Sequence, residues 1–434
     1  MINFLICGIA FLLYAWMKFK KRIFYPSVVF SLMWGLNCIY TAAILDGYGE
    51  NLFLKDEYVY KYMDTYIIYF TIASLLGFSI AHKVYGERGV HLKFSLDFID
   101  RILSKYKFIM WMNFFGGILR IYLMISLVGF SMDNVMNYRL AANEMMNSGS
   151  GNIGLVFRLT AYIQMLANFY VALYGLRAGF GKLNFKSVLT IFILYAPTQM
   201  ATGGRLFVLY FIIFFFGSFF LARGLSMNTM VRKWIFPEEK RAITIMFAVL
   251  LSVVGIIGMS RAVDNGEYVG RESFVEKFSY ITEGMLLTEK LMQYYPDGSF
   301  QHSNGVHTIT GRSEKYLQFK ADDRIRRKMS SVVISILVPL YLDFGYWGSL
   351  IAWFFIALFI ESLSLRLLAK LTIIRFLIVA TLLKICYESV MSNPINANIP
   401  IYELIILFAL FYKPLFGRLE GSITKDEDQQ YSMD

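Results

Sequence analysis

The sequence predicts an all-α polytopic membrane protein, with about eleven transmembrane helices and one large polar loop. Three observations predict it. Of 434 residues, 57% are hydrophobic and only 17% charged, where soluble domains average about 45–50% apolar and about 25% charged. The apolar residues fall in solid blocks rather than at amphipathic spacing, so no face is left for water. Many blocks approach the ~20 residues that a bilayer crossing needs.

The first block, Ile2 to Met17, has no positive n-region and no small-x-small cleavage site. Lys18, Lys20, Lys21 and Arg22 follow it rather than precede it. It reads as a retained first span, not a signal peptide. Further spans are expected at 25–45, 65–81, 108–130, 152–175, 187–201, 206–222, 242–260, 349–363, 371–390 and 399–416. The stretch 331–342 (SVVISILVPLYL) is apolar but short, which suits a re-entrant or interfacial segment. Four regions result: spans one to eight (1–260), a large loop (261–330), the re-entrant segment with three last spans (331–416), and a tail (417–434).

Lys and Arg counts orient the chain. Loops after odd-numbered spans, with the tail, hold 23; the short loops of the other face hold 4. The positive-inside rule makes the first set cytoplasmic, with the N-terminus outside and the C-terminus inside. The same counts explain much of the +11 net charge and remove the case for nucleic acid. Cys7, Cys38 and Cys386 lie inside apolar segments and form no disulfide framework or metal spacing; His82 and His91 flank a basic loop without a zinc pattern.

The loop 261–330 falls outside. It carries 11 basic and 10 acidic residues, with His302 and His307. Residues 273–295 show helical apolar spacing and are expected as an amphipathic helix over the membrane face. PDGSFQHSNGVHTITG (296–311) reads as irregular.

Charges at membrane depth are costly and usually mark a pathway, a pair or a ligand. Arg375 and Glu361 lie near cytoplasmic ends, where long side chains reach headgroup level. Lys384 and Glu388 are spaced i,i+4 and can satisfy one another. Arg120 sits deep in its span. With Arg139, Arg158, Arg205, Arg261 and Arg271 it places an arginine cluster on the outer face. Guanidinium binds phosphate oxygens bidentately, so such a cluster suits a diphosphate; scattered interfacial anchoring is the plainer reading. The turn Met200-Ala-Thr-Gly-Gly-Arg205 lets backbone approach a ligand, or simply makes a tight hairpin.

Four stretches carry a resemblance: NYRLAAN (137–143), TGGR (202–205), MSRAVDNG (259–266) opening the large loop, and VPLYLDFGYWGSLIAWFFIALF (338–359) after it. In these the chain resembles the bacterial oligosaccharide repeat-unit polymerases, the Wzy-type O-antigen and capsule polymerases. The resemblance implies a GT-C-like fold in the bacterial cytoplasmic membrane, no cofactor and no metal. It implies transfer of a growing chain from its polyprenyl diphosphate carrier to a sugar hydroxyl on a new lipid-linked unit. Donor and acceptor would both be polyprenyl-diphosphate-linked oligosaccharides, and a chain-length regulator an expected partner. Arg205 and Arg261 match the family's essential arginines; Arg139 and Arg312 match less closely. The acceptor hydroxyl needs positioning and a base, for which His307, Glu272 and Glu283 are the loop candidates. Tyr138, Tyr280, Tyr294, Tyr295, Tyr346 and Trp347 are candidates to stack on sugars, or interfacial anchors. An O-antigen ligase and a flippase of lipid-linked units remain open as alternatives.

Overall fold

The computed structural model describes residues 2–20, 25–43, 62–86, 91–92, 95–128, 152–181, 183–200, 210–226, 239–240, 243–244, 283–294 and 335–390. The expected spans 242–260 and 399–416, the tail, and most of the large loop lie outside the described residues.

The helices are α1 (Ile2–Lys20), α2 (Pro26–Ala43), α3 (Met63–Tyr85), α4 (Leu96–Val128), α5 (Asn152–Phe180) and α6 (Phe185–Met200), followed by α7 (Ser218–Ser226), α8 (Glu283–Tyr294), α9 (Leu337–Ala369) and α10 (Ile373–Glu388). A π-helical turn, Ile212–Gly217, leads into α7. Three of these, α3, α5 and α9, are long and apolar enough to cross a membrane.

Local chemistry sets several boundaries. Pro26 opens α2, where its missing N–H costs nothing. Asn184 Oδ1 accepts from Lys186 N at 3.1 Å and caps α6. Thr372 Oγ1 accepts from Arg375 N at 3.3 Å and caps α10. Arg375 itself donates to Lys370 O at 2.9 Å, at the helix end where the sequence put it.

Two packed groups form the core. In one, α1, α2, α3, α8 and α9 meet around stacked aromatics. Trp353 lies 5.2 Å from Phe30 and 5.4 Å from Phe70, and Phe70 lies 4.7 Å from Trp34. Both buried indoles are satisfied: Trp34 Nε1 donates to Ser389 Oγ at 2.9 Å, and Trp353 Nε1 to Ser74 Oγ at 2.7 Å. In the other group, α4 to α7 pack around Tyr195, Phe211, Phe215 and Phe219. Gly175 and Gly179, one turn apart on α5, admit the backbone of Phe215 and Phe219; a Cβ on Gly179 would stand 2.6 Å from Phe219 O. This is the small-xxx-small packing of membrane helices. Helix α10 bridges the groups, touching α2, α9, α5 and the π turn.

Outward residues follow a lipid-facing pattern. Tyr69, Ile72, Leu76 and Ile80 on α3, and Trp347, Ile351, Phe355 and Phe359 on α9, are all exposed at helical spacing. Such apolar stripes need lipid rather than water as solvent.

One end of the bundle gathers the basic loops. There β1 (His91–Leu92) pairs in parallel with β2 (Lys370–Leu371), Arg177 Nε donates to Asp100 at 2.8 Å, and Arg223 pairs with buried Glu239. At the opposite end Glu289 of α8, 1% exposed, accepts from Met63 N at 2.6 Å and Tyr62 N at 3.1 Å, and so caps α3.

Several sequence readings change. Glu361 does not reach headgroup level: it is 0% exposed. Its carboxylate accepts from Ser27 Oγ at 2.6 Å and Ser27 N at 3.1 Å, inside the first turn of α2, where the helix dipole favours an anion. His82 Nε2 lies 2.6 Å away, an approach without hydrogen-bond alignment that pairs charges only when the imidazole is protonated. Lipid cannot satisfy a carboxylate, so it turned inward and tied α9 to α2 and α3. From Leu337 on, the short segment 331–342 is the first arm of α9, which breaks at Gly345 (φ 67°, ψ −167°). The expected helix at 108–130 begins at Leu96, well inside the loop read as cytoplasmic. The described part of 273–295, α8, buries Met285, Leu291 and Met292 against the bundle instead of lying on lipid.

Removing one member of a buried charge cluster costs about 3–5 kcal/mol. Glu361→Ala should therefore lower the thermal midpoint of the detergent-solubilised protein by many degrees; an unchanged midpoint would show that the α2–α9 joint does not depend on this carboxylate. Gly345 holds a backbone conformation open essentially to glycine alone. Gly345→Ala should cost about 1–3 kcal/mol in the same measurement, and a neutral effect would argue against the break.

Candidate functional site

The site is built by a close approach of three helices. Gly116 and Gly117 on α4 face α5 and α6. A Cβ on Gly116 would stand 2.9 Å from Thr160 Cγ2, and one on Gly117 2.7 Å from Pro197 Cβ. No other residue fits at Gly117. Arg120 follows one turn later on the same face (i+3, i+4) and is driven between α5 and α6.

Arg120 is 4% exposed. Its Nε donates to Thr160 Oγ1, its Nη2 to Phe157 O, and its Nη1 to Thr198 O at 3.4 Å. The guanidinium also lies over the Phe157 ring, 5.1 Å from its centroid. These partners are all neutral, and no carboxylate lies within salt-bridge distance of it among the described residues. A buried cation at membrane depth without a counter-anion is costly, and such residues usually serve a ligand or a pathway.

A buried polar row runs inward from it along one face of α5: Thr160, Gln164 and Asn168, each four residues from the last. Gln164 Nε2 donates to Asn168 Oδ1 at 3.4 Å, and Tyr195 OH donates to the same oxygen at 2.7 Å. Asn113 Nδ2 donates to Leu194 O at 2.9 Å and Tyr195 O at 3.1 Å. Thr198 Oγ1 donates to Asn113 O at 2.5 Å. Gln164 Oε1 and Asn113 Oδ1 are left as buried acceptors without partners. Carbonyls near Pro197 are accessible to these side chains because proline disrupts the helical ladder around it.

Of the sequence-derived candidates, Arg120 is buried between α4, α5 and α6, while Arg158 stands exposed on α5, next in sequence to the Phe157 whose carbonyl accepts from Arg120. Tyr346 stands apart on α9, half-buried, edge-on to Tyr66 at 5.1 Å and beside exposed Trp347. Glu283 is the first residue of α8, with its side chain outside the described residues. Arg139, Arg205, Arg261, Arg271, Arg312, His307, Glu272, Tyr138 and Tyr280 also lie outside them. Thr198 lies in the last turn of α6, two residues before its end at Met200, so Arg120 reaches the C-terminal turn of that helix.

Sequence reasoning missed Thr160, Gln164, Asn168, Asn113 and Thr198. The signal was present: three polar residues at i, i+4 and i+8 in an apolar helix, beside a Gly-Gly pair four residues before an arginine. No group of three or more metal-ligating side chains occurs among the described residues.

Fold and site together define an all-α membrane protein with an arginine-bearing polar row inside its bundle. No family model, curated protein or solved structure matches the chain.

The glycine contact generates a test. Gly117→Ala should push α4 off α6 and displace Arg120, costing about 1–3 kcal/mol of stability by overpacking. A variant as stable as the parent would mean that the helices do not approach as described.

Proposed function

We propose that this chain is a membrane glycosyltransferase of the repeat-unit polymerase type. It joins polyprenyl-diphosphate-linked oligosaccharide units into a surface polysaccharide, O-antigen or capsule, on the outer face of a bacterial cytoplasmic membrane. The observation that carries the reading is Arg120, a buried cation with neutral partners at the C-terminal turn of α6. The motif resemblance points the same way.

The chemistry follows from charge. The leaving group is a diphosphate whose negative charge grows in the transition state, and fixed guanidinium groups stabilise such charge where it develops. In this reading Arg120 and Arg205 form the inner side of the diphosphate site. Arg139, Arg261, Arg271 and Arg312 approach from the outer loops and Arg158 from α5, with Tyr138, Tyr280 and Tyr346 against sugars. His307, Glu272 and Glu283 are the loop candidates for proton transfer. A chain-length regulator is the natural protein partner. The N-terminus lies outside and the C-terminus inside, as the Lys/Arg asymmetry requires.

A second reading has one observation behind it. Helix α9 is broken at Gly345, and interrupted helices are common in transporters; the substrate would then be the same lipid-linked unit, flipped rather than polymerised.

One experiment separates the two. A deletion strain of a polymerase should display single-repeat glycans that still reach the surface, with the ladder gone. Loss of all surface glycan, with lipid-linked units held inside, would instead support the flippase. In the complemented strain, Arg205→Ala, Arg261→Ala and Arg120→Lys should each cut chain growth by roughly 10²–10³ at normal protein abundance; full ladders from all three would overturn the arginine mechanism.

A further inference from the structure

The arginines account for the leaving group; for the proton of the attacking hydroxyl the bundle offers a carboxylate besides the loop candidates His307, Glu272 and Glu283. Four glutamates with described environments are buried or half-buried in the bundle, and three are committed elsewhere. Glu361 accepts from Ser27 beside His82, Glu239 pairs with Arg223 at the basic end, and Glu289 caps α3 and accepts from Gln293. Glu388 is different. It is the last residue of α10, half-buried, at the end of the bundle opposite the basic loops.

Its surroundings form a built polar cluster. Tyr210 hydrogen-bonds Glu388. Lys384, one turn inward on α10 and itself buried, lies over the Tyr210 ring, 5.4 Å from the centroid. Tyr195 and Tyr387 also lie near Tyr210. The π turn starts two residues after Tyr210, and such turns are frequent at functional sites. Two contacts hold the end of α10 still: Trp34 Nε1 donates to Ser389 Oγ at 2.9 Å, and Ile336 N donates to Ser389 O at 2.9 Å. Tyr195 connects this cluster to the Arg120 row through Asn168. A carboxylate at a braced helix end, a cation one turn away and a tyrosine hydroxyl thus lie one tyrosine away from the polar row that leads to Arg120.

We propose that Glu388 is the general base of the transfer, with Tyr210 and Lys384 positioning its carboxylate. The assignment rests on the polymerase reading. The acceptor's O–H bond breaks and its proton passes to Glu388. The acceptor oxygen bonds to the anomeric carbon of the donor chain. The bond from that carbon to the diphosphate oxygen breaks, and its electron pair leaves with the diphosphate, against the arginines. The protonated Glu388 then returns its proton to outer-face water.

The test uses membranes of the deletion strain carrying the full-length protein, with labelled lipid-linked repeat units extracted from that strain as probe. Glu388→Gln should slow elongation roughly 10²-fold or more, the usual contribution of a general base. Retention of the labelled unit on the purified protein should stay within about twofold of the parent. Glu388→Asp, which keeps the carboxylate, should elongate at an intermediate rate, and the acid limb of the parent's pH–rate profile should vanish from the residual rate of Glu388→Gln. Parental rates in Glu388→Gln would overturn the assignment, as would an acid limb that survives the substitution. So would an equal loss of unit binding in both Glu388 variants. Parent membranes that build no chains from these units overturn the polymerase reading itself, and Glu388 falls with it; parent membranes that build chains while Glu388→Gln does so equally overturn Glu388 alone.

Discussion

The candidate site depends on one steric constraint: α4 must touch α6 without a side chain between them. At Gly117 the α6 backbone stands where a Cβ would be. That approach brings the carbonyls of Phe157 and Thr198 within reach of a guanidinium one turn further along. Arg120 is therefore held by its own fold, in neutral company, before any ligand arrives. Preorganised donors of this kind need no reorganisation when charge develops in front of them, which is why they are effective in a site with little water. The cost is a buried cation, tolerable because several hydrogen bonds replace part of its hydration.

A second constraint shapes the rest of the bundle. In a lipid-facing protein the bundle interior is the main place where polar groups can be satisfied. The glutamates obey this by seeking the N–H groups that helix starts leave unpaired. Glu361 of α9 finds the first turn of α2, and Glu289 of α8 finds that of α3. Each joins segments far apart in sequence, and each sits at a different end of the bundle. Glu289 also fixes α8, a piece of the large loop, onto the membrane helices. That part of the loop is thus docked structure, with its apolar residues buried in the same cluster as Trp34 and Trp353.

Hydropathy made the long apolar helices among the described residues legible, and charge counts set the expectation for their ends. Both signals are properties of single segments. Pairings were not legible, because they depend on which helices become neighbours. Glu361 illustrates the limit: its position in sequence fits an interfacial side chain as well as a buried one, and only the arrival of Ser27 and His82 decides. The same holds for Lys384 and Glu388, whose i,i+4 spacing hid the involvement of Tyr210. Arg120 was legible as a charge at depth, but its neutral surroundings were not. The segment 331–342 reads in sequence as a separate re-entrant segment. That it continues through a glycine break into a long helix required the one residue, Gly345, whose backbone leaves the ordinary range.

The position of that break ties these threads together. The arm from Leu337 to Asp343 is buried throughout, and Ile336 N bonds to Ser389 O. On either side of Gly345 the chain reaches the surface, with Phe344 and Trp347 exposed, while Tyr66 hydrogen-bonds Ser349 at 2.8 Å. The break therefore lets one helix start against the end of α10, inside the protein, and finish along the lipid face. An unbroken helix could not follow both paths. Because the buried arm braces Ser389, it also braces the residue before it, Glu388. In the polymerase reading, the aspartate–phenylalanine–glycine stretch that carried the family resemblance has a physical role: it holds the end of α10 where the acceptor hydroxyl would approach.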